Sequence, residues 1–315
     1  MTKSFWHQIK KPILALAPMA GYTDSAFRLL CRESGADVVY SEMISVDGLC
    51  HTNQKTLDML KFRPQETPIV FQLFGTDPKK FATATTIINK IITSYKLPIT
   101  SYFGIDLNFG CPAPKVAKNG AGAALMNELE KSHQIIKAVC DHSQFPVSLK
   151  IRAGVKNVTA FDFINKVKDL PWTAVMVHGR TLKQGFVGDI DCQIIKEIKK
   201  LIPDKIVLAN GGINNLVTTQ KILSKTNADG LGLARGVIGS PWLFKEIKQN
   251  KSLTISATAR RKVILRQAEL FLEDNPNLIP LRKHLVHYFK GQKNASEMRQ
   301  KIIQVTAFTE LKNIL

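Results

Sequence analysis

The chain has 315 residues, 44% hydrophobic and 22% charged, a composition that supports a full hydrophobic core and excludes a disordered polymer. Lys plus Arg number 44 against 25 Asp plus Glu, a formal net charge of +19, which favours a polyanionic partner, nucleic acid before an anionic membrane surface. No apolar run approaches the roughly 20 residues that span a bilayer, the opening MTKSFWHQIKK lacks the apolar stretch of a secretory signal, and five cysteines without a C-x-x-C pair suggest neither a disulfide framework nor a zinc site, so a reducing, cytoplasmic compartment and a metal-free, membrane-independent protein are expected.

Short β-rich runs alternate with stretches of helical length. The runs are Ile13–Ala17, Val38–Tyr40, Ile69–Leu73, Ile105–Asn108, Val147–Ile151, Ala174–Val177, Ile206–Ala209 and Gly230–Leu233; their continuous apolar character suits parallel strands covered on both faces. Amphipathic patterns at Phe81–Ile92, Lys131–Cys140 and Asp191–Lys200 lie between them. Helix starts are signalled by Asp24 ahead of Phe27, by Asp77-Pro78 ahead of Phe81 and by Asn215 ahead of Leu216. Eight βα units over about 245 residues match a (β/α)8 TIM barrel; a doubly wound sheet gives the same alternation and stays the competitor.

After Lys251 the strands stop. Val263, Leu265, Leu270, Leu281, Leu285, Phe289, Ile302, Ile303 and Phe308 recur at helical spacing, with breakers at Asn275-Pro276 and Lys290-Gly291. The pattern predicts a catalytic barrel over residues 1–250 and a small all-helical domain of three or four helices over 251–315. Residues 252–315 hold 11 Lys/Arg against 5 Asp/Glu, a denser positive charge than the barrel's and a fit to RNA.

In a barrel, chemistry sits at the C-terminal strand ends. In order, those ends carry Pro18-Met19-Ala20-Gly21, Glu42, Gln72, Asn108-Phe109-Gly110-Cys111-Pro112, Lys150 with Arg152, His178-Gly179-Arg180, Asn210-Gly211-Gly212 and Ala234-Arg235-Gly236. A lysine inside an apolar strand needs an anion or a strong acceptor. The last two ends, glycine-rich, ahead of helix patterns and armed with Arg235, suit a phosphate. No G-x-G-x-x-G follows a strand, so a mononucleotide such as flavin mononucleotide is preferred to a dinucleotide. Gln72 and Asn108 both donate and accept, as the imide edge of a flavin ring requires. Cys111, on an Asn-x-Gly-Cys-Pro turn, serves either as a nucleophile or as a general acid.

Taken together these segments resemble the tRNA-dihydrouridine synthases, with the bacterial B-type subgroup nearest. Leu16-Ala17-Pro18-Met19-Ala20-Gly21-Tyr22-Thr23-Asp24, the Asn108–Pro112 turn, Lys150-Ile151-Arg152-Ala153-Gly154, His178-Gly179-Arg180-Thr181, Asn210-Gly211-Gly212-Ile213 and Arg282-Lys283-His284-Leu285 carry the likeness, which covers residues 13 to about 300. The resemblance implies FMN held by Pro18, Met19, Ala20, Gln72, Lys150, His178, Asn210, Gly211, Gly212, Ala234 and Arg235, with NADPH as reductant. It implies reduction of D-loop uridines of tRNA to 5,6-dihydrouridine, with Cys111 as general acid. Asn108, Arg152 and Arg180 would meet the substrate, and Arg282 and Lys283 the tRNA backbone; a monomer is the default. The chain departs from the pattern at Leu182, at Asp189-Ile190-Asp191-Cys192, at Ala234 and at His287, positions that bear on RNA contacts. A small-molecule FMN enzyme of the dihydroorotate or dihydropyrimidine dehydrogenase type is the alternative, against which the basic tail argues. A non-catalytic RNA-binding barrel is a third reading, against which Cys111, Lys150 and His178 argue.

Overall fold

The computed structural model describes residues 4–95 and 102–315. Each of the eight apolar runs forms a strand: β1 (Ile13–Leu16), β2 (Val38–Ser45), β3 (Ile69–Phe74), β4 (Phe103–Asn108), β5 (Val147–Arg152), β8 (Ala174–His178), β9 (Ile206–Asn210) and β10 (Gly230–Leu233). They close in the order β1-β10-β9-β8-β5-β4-β3-β2, every neighbouring pair parallel. Closure excludes the doubly wound sheet. The sequence did not announce the antiparallel hairpin of β6 (Gly154–Val155) and β7 (Val158–Thr159) after β5, nor that β2 would run on to Ser45 and so carry Glu42 within the strand.

Between strands lie α1 (Ser25–Glu33), the short α2 (Val46–Cys50) and α3 (Gln54–Asp58), α4 (Pro78–Ser94), α5 (Pro114–Lys118), α6 (Leu129–His142), α7 (Ala160–Val167), α8 (Cys192–Leu201) and α9 (Leu216–Thr226); α10 (Leu243–Gln249) follows β10. The three predicted starts are capped as their residue types require. Asp24 accepts from the Phe27 N–H at 2.9 Å, Asp77 from Lys79 at 2.9 Å and Asn215 from Thr218 at 2.8 Å.

The period of two along each strand divides the barrel. Outward residues such as Ile69, Phe71, Leu73, Ile105, Leu107, Leu149 and Ile151 pack under the helices. Inward residues near the N-terminal end are apolar: Ile13, Val38, Val70, Ala174 and Ile206 pack with Phe5 and Trp6, stacked at 4.8 Å. Toward the C-terminal end the inward residues turn polar: Gln72, Asp106, Asn108, Ser148, Arg152, His178 and Asn210 are buried. A barrel end filled with amides and charges is a site rather than a packing layer.

The tail comprises α11 (Ala257–Leu272), α12 (Arg282–Leu285), α13 (Ala295–Ile302) and α14 (Phe308–Ile314), with 3₁₀ turns before and after α12. It does not stand apart. Its Ile264, Leu270, Phe271, Leu281, Leu285 and Leu311 belong to the same buried cluster as the barrel helices, and α11 packs on α1. Polar ties add to this: Arg266 to Glu33 at 2.7 Å, and Arg63 to Asp274 at 2.7 Å and to the Leu270 carbonyl at 3.1 Å. No helix among the described residues is long and apolar enough to cross a membrane.

Candidate active site

Cys111 is held from three sides. The Asn108 side-chain oxygen accepts from the N–H groups of Gly110 (3.1 Å) and Cys111 (2.9 Å), the local turn that an Asn-x-Gly-Cys stretch favours. The Cys111 carbonyl accepts from the Ala123 N–H at 3.0 Å. Gly122 makes that approach possible: its φ is +62°, and a Cβ there would lie 2.9 Å from the Cys111 oxygen. Arg152, buried, then donates from Nε to the Gly110 carbonyl at 2.8 Å and from Nη1 to the Thr181 and Gly185 carbonyls at 3.2 Å. It joins the cysteine turn to the loop after β8.

Beneath the cysteine turn the polar layer is hydrogen-bonded in one direction. Asn108 Nδ2 donates to Gln72 Oε1 at 2.9 Å, and Gln72 Nε2 donates to Asp106 Oδ2 at 2.7 Å. Ser148 Oγ donates to Asp106 Oδ1 at 2.6 Å, and the Gln72 N–H donates to Ser41 Oγ at 3.0 Å. Burial raises the Asp106 carboxyl to about 6, the bonds from Gln72 and Ser148 and the charge of Lys150 opposing the rise. Asp106 is thus predominantly a carboxylate at neutral pH.

Lys150 stands beside Asn108 in the strand register. Among the described residues its ammonium makes no hydrogen bond or ion pair, and burial together with Arg152 lowers it to about 8. His178, next to Asn210 in register, is surrounded by Lys150, Arg152, Arg180 and Arg235; burial and these cations push it down to about 2, so the ring is neutral. Arg180 is buried and donates from Nε to the Gly188 carbonyl at 2.8 Å.

The last two strand ends form a donor-rich floor. Asn210 Nδ2 takes the Gly232 carbonyl at 2.6 Å. Gly211 and Gly212 follow with φ of +104° and +70°, and a Cβ on Gly211 would meet His178 Cδ2 at 2.6 Å, so the turn needs glycine. The N–H groups of Gly211, Gly212, Arg235 and Gly236 find no backbone acceptor among the described residues. With the exposed Arg235 beside them they fit a phosphate. Lys150 and the amides of Gln72 and Asn108 fit the polar edge of a flavin ring. The residues present therefore suit FMN.

Next to the β10 end, Met19 and Ala20 lie on the loop after β1, closed by the Tyr22 and Thr23 N–H groups on the Met19 carbonyl; the Gly21 N–H bonds Glu42. The tail reaches this loop: Lys283 Nζ lies over the Tyr22 ring at 5.5 Å and next to Gly21. Arg282 does not face the mouth. Its guanidinium holds the Val305 and Gln304 carbonyls at 2.6 and 2.9 Å.

Two residues that sequence reasoning passed over belong to the site. Asp106 was absorbed into an apolar run, although its inward parity with Asn108 was readable. Phe186, 53% exposed, has the Arg235 guanidinium over its ring at 3.9 Å and His178 at 6.2 Å; a glycine-flanked loop aromatic gives no periodicity to find it by.

The Dihydrouridine synthase (Dus) family matches residues 15–315. The chain belongs to the dihydrouridine synthase family. It is 33% identical over 308 residues to the "Probable tRNA-dihydrouridine synthase" of Helicobacter pylori strain J99, spanning 96% of this chain and 90% of that protein. It is 30% identical over 308 residues to the protein of that name from Aquifex aeolicus, spanning 96% and 94%. It is 35% identical over 238 residues to "tRNA-dihydrouridine synthase B" of Xanthomonas axonopodis pv. citri, spanning 75% and 69%. Among solved structures, histamine dehydrogenase from Rhizobium sp. 4-9 superposes with a TM-score of 0.55 at 13% identity, over 83% of this chain and 49% of that one, a likeness of fold. This dihydrouridine synthase family member is accordingly an enzyme built on a TIM barrel with a helical C-terminal region.

Proposed function

We propose that this dihydrouridine synthase reduces the C5–C6 double bond of D-loop uridines in tRNA to 5,6-dihydrouridine, using resident FMN, NADPH as reductant and Cys111 as proton donor. The observation that carries the reading is the placement of a turn-locked Cys111 beside a partnerless Lys150 at the ends of adjoining strands. A positioned thiol and a cation awaiting negative charge are the two protein groups such a reduction needs.

Pro18, Met19, Ala20, Gln72, Lys150, His178 and Asn210 would hold the ring, and Gly211, Gly212, Ala234 and Arg235 the phosphate. FMN held there would supply the hydride chemistry for C6 of the uracil. Cys111 Sγ–H delivers the proton to C5 from the opposite face, so the double bond gains one hydride and one proton. Lys150 meets negative charge at the ring's pyrimidine edge; neutral His178 adds a donor without a further cation. Asn108 and Arg180 orient the base, and Arg152 keeps the Gly110 carbonyl and the loop after β8 fixed around it.

A uridine within a folded tRNA must be turned out of its stack to reach a barrel mouth. We assign backbone binding to the basic rim and to residues 251–315, with Lys283, beside Gly21 and Tyr22 on the loop after β1, as a tail residue at the mouth. The enzyme would act as a cytoplasmic monomer. The test is mass spectrometry of unmodified tRNA incubated with the purified protein and NADPH. Dihydrouridine should form with the parent protein and fall at least tenfold with Cys111→Ala, in line with loss of a general acid. A flavin-loaded protein that leaves tRNA unchanged would sink the proposal.

A further inference from the structure

We propose that Asp106, buried one layer below the mouth, is a positioning residue. It fixes the direction of the Gln72 amide, which in turn braces the Asn108 amide that holds the Cys111 turn.

A carboxylate can only accept. Both oxygens of Asp106 are occupied by donors, Gln72 Nε2 at 2.7 Å and Ser148 Oγ at 2.6 Å. Gln72 must therefore turn its NH₂ down and its carbonyl oxygen up. The oxygen so presented accepts Asn108 Nδ2 at 2.9 Å. Asn108 must in turn offer its own oxygen to the backbone, where it accepts from Gly110 and Cys111 at 3.1 and 2.9 Å. Reversing one amide reverses the other. Asn108 would then point an NH₂ group at two N–H donors, and both bonds that hold the cysteine turn would be lost. Direction is thus fixed at both ends, by a carboxylate that can only accept and by the Gly110 and Cys111 N–H groups that can only donate. The register places the three on neighbouring strands, with Gln72 opposite Asp106 and Asp106 opposite Ser148, so no backbone movement is required for the relay.

The inference rests on the functional reading only in taking Cys111 as the proton donor; the geometry of the relay does not depend on it. Two substitutions separate the possibilities. Asp106→Asn keeps the shape but lets position 106 show Gln72 either an oxygen or an NH₂, so direction is imposed only from the cysteine turn and the lower anchor is lost. Gln72→Met removes the relay's middle while filling its volume. The readout is hydrogen exchange resolved to single amides on the full chain. Exchange at Gly110 and Cys111 should accelerate about tenfold or more in each variant, the scale of a charge-assisted hydrogen bond. The Ile105 amide, which donates to the Pro146 carbonyl at 3.0 Å on the same strand, should keep its parent rate. The double variant should be no faster at Cys111 than Gln72→Met alone, because Asp106 acts through Gln72.

Unchanged exchange at Gly110 and Cys111 in Asp106→Asn would overturn the proposal. So would acceleration shared equally by Ile105, which would mark Asp106 as part of the fold only. With tRNA and NADPH, Asp106→Asn should lower kcat for dihydrouridine with little change in KM for tRNA. If the parent forms no dihydrouridine, the functional reading fails while the exchange pattern still decides the relay.

Discussion

At the residue scale, the site trades stability for chemistry. Half-buried Lys150 has no hydrogen-bond or ion-pair partner among the described residues, and its ammonium is lowered to about 8. Replacing it with methionine should raise the stability of the flavin-free protein by about 1–2 kcal/mol while abolishing flavin retention; denaturant midpoints and the flavin absorbance of the purified variant report the two effects. Gly211→Ala should do harm on both counts. The added methyl falls 2.6 Å from His178 Cδ2 at a φ of +104°, so a loss of about 1–3 kcal/mol is expected, together with weakened FMN binding measured by fluorescence titration. Legibility at this scale followed chemistry. Lys150 and His178 were visible as polar types at the ends of apolar runs, and Cys111 by its Asn-x-Gly-Cys-Pro turn at a strand end. Asp106 and Phe186 were not, because the role of each depends on neighbours from other strands or loops: Asp106 on Gln72 and Ser148, Phe186 on Arg235.

At the element scale, the contact between α1 and the tail carries a charge problem of its own. His284 is buried between the Tyr22 and Phe27 rings at 4.9 and 4.8 Å; Nδ1 faces Gln267 Nε2 at 3.1 Å, Nε2 lacks a hydrogen bond, and Asp24 Oδ2 is 3.9 Å away. Burial, with Lys283 and His287 nearby, lowers His284 to about 3, while burial raises Asp24 to about 6. The signs oppose. The unfolded chain protonates this histidine near 6.5 and the folded one does not, so His284 costs stability as pH falls from about 6.5 toward 3. The folded chain keeps the Asp24 proton up to about 6 and the unfolded one loses it near 3.8, so Asp24 costs stability as pH rises through that window. His284→Gln removes only the first contribution. Between pH 4 and 6 its unfolding free energy should therefore rise relative to the parent's, making the variant comparatively more stable, by up to about 1.4 kcal/mol per unit of acidification; urea titrations at three pH values would show it. An unchanged difference across the window would mean that His284 is protonated in the folded state. The strands and capped helices here were readable because local signals and packing agree: Asp24, Asp77 and Asn215 each cap the helix they preceded. The hairpin after β5 was not, since two-residue strands have no period to detect.

At the scale of the whole molecule, charge and shape converge on the mouth. Affinity for tRNA should fall steeply with salt, and Lys283→Ala should reduce both the affinity and the slope of log Kd against log salt, by roughly 0.7–0.9 if it meets one phosphate; filter binding at several salt concentrations measures this. Barrel and tail were both legible from eight apolar runs followed by helical spacing. Their union was not, because a shared core is a property of facing surfaces: α1 and α11 are separated by more than 220 residues in the chain and neither sequence names the other. That union has a consequence for engineering. A region whose Ile264, Leu270, Phe271 and Leu285 complete the barrel's own hydrophobic cluster cannot be exchanged between relatives as a cassette. A chimaera joined near residue 251 would inherit mismatched halves of one interior, and a working transplant must carry the outer face of α1, with Phe27 and Leu30, along with the tail.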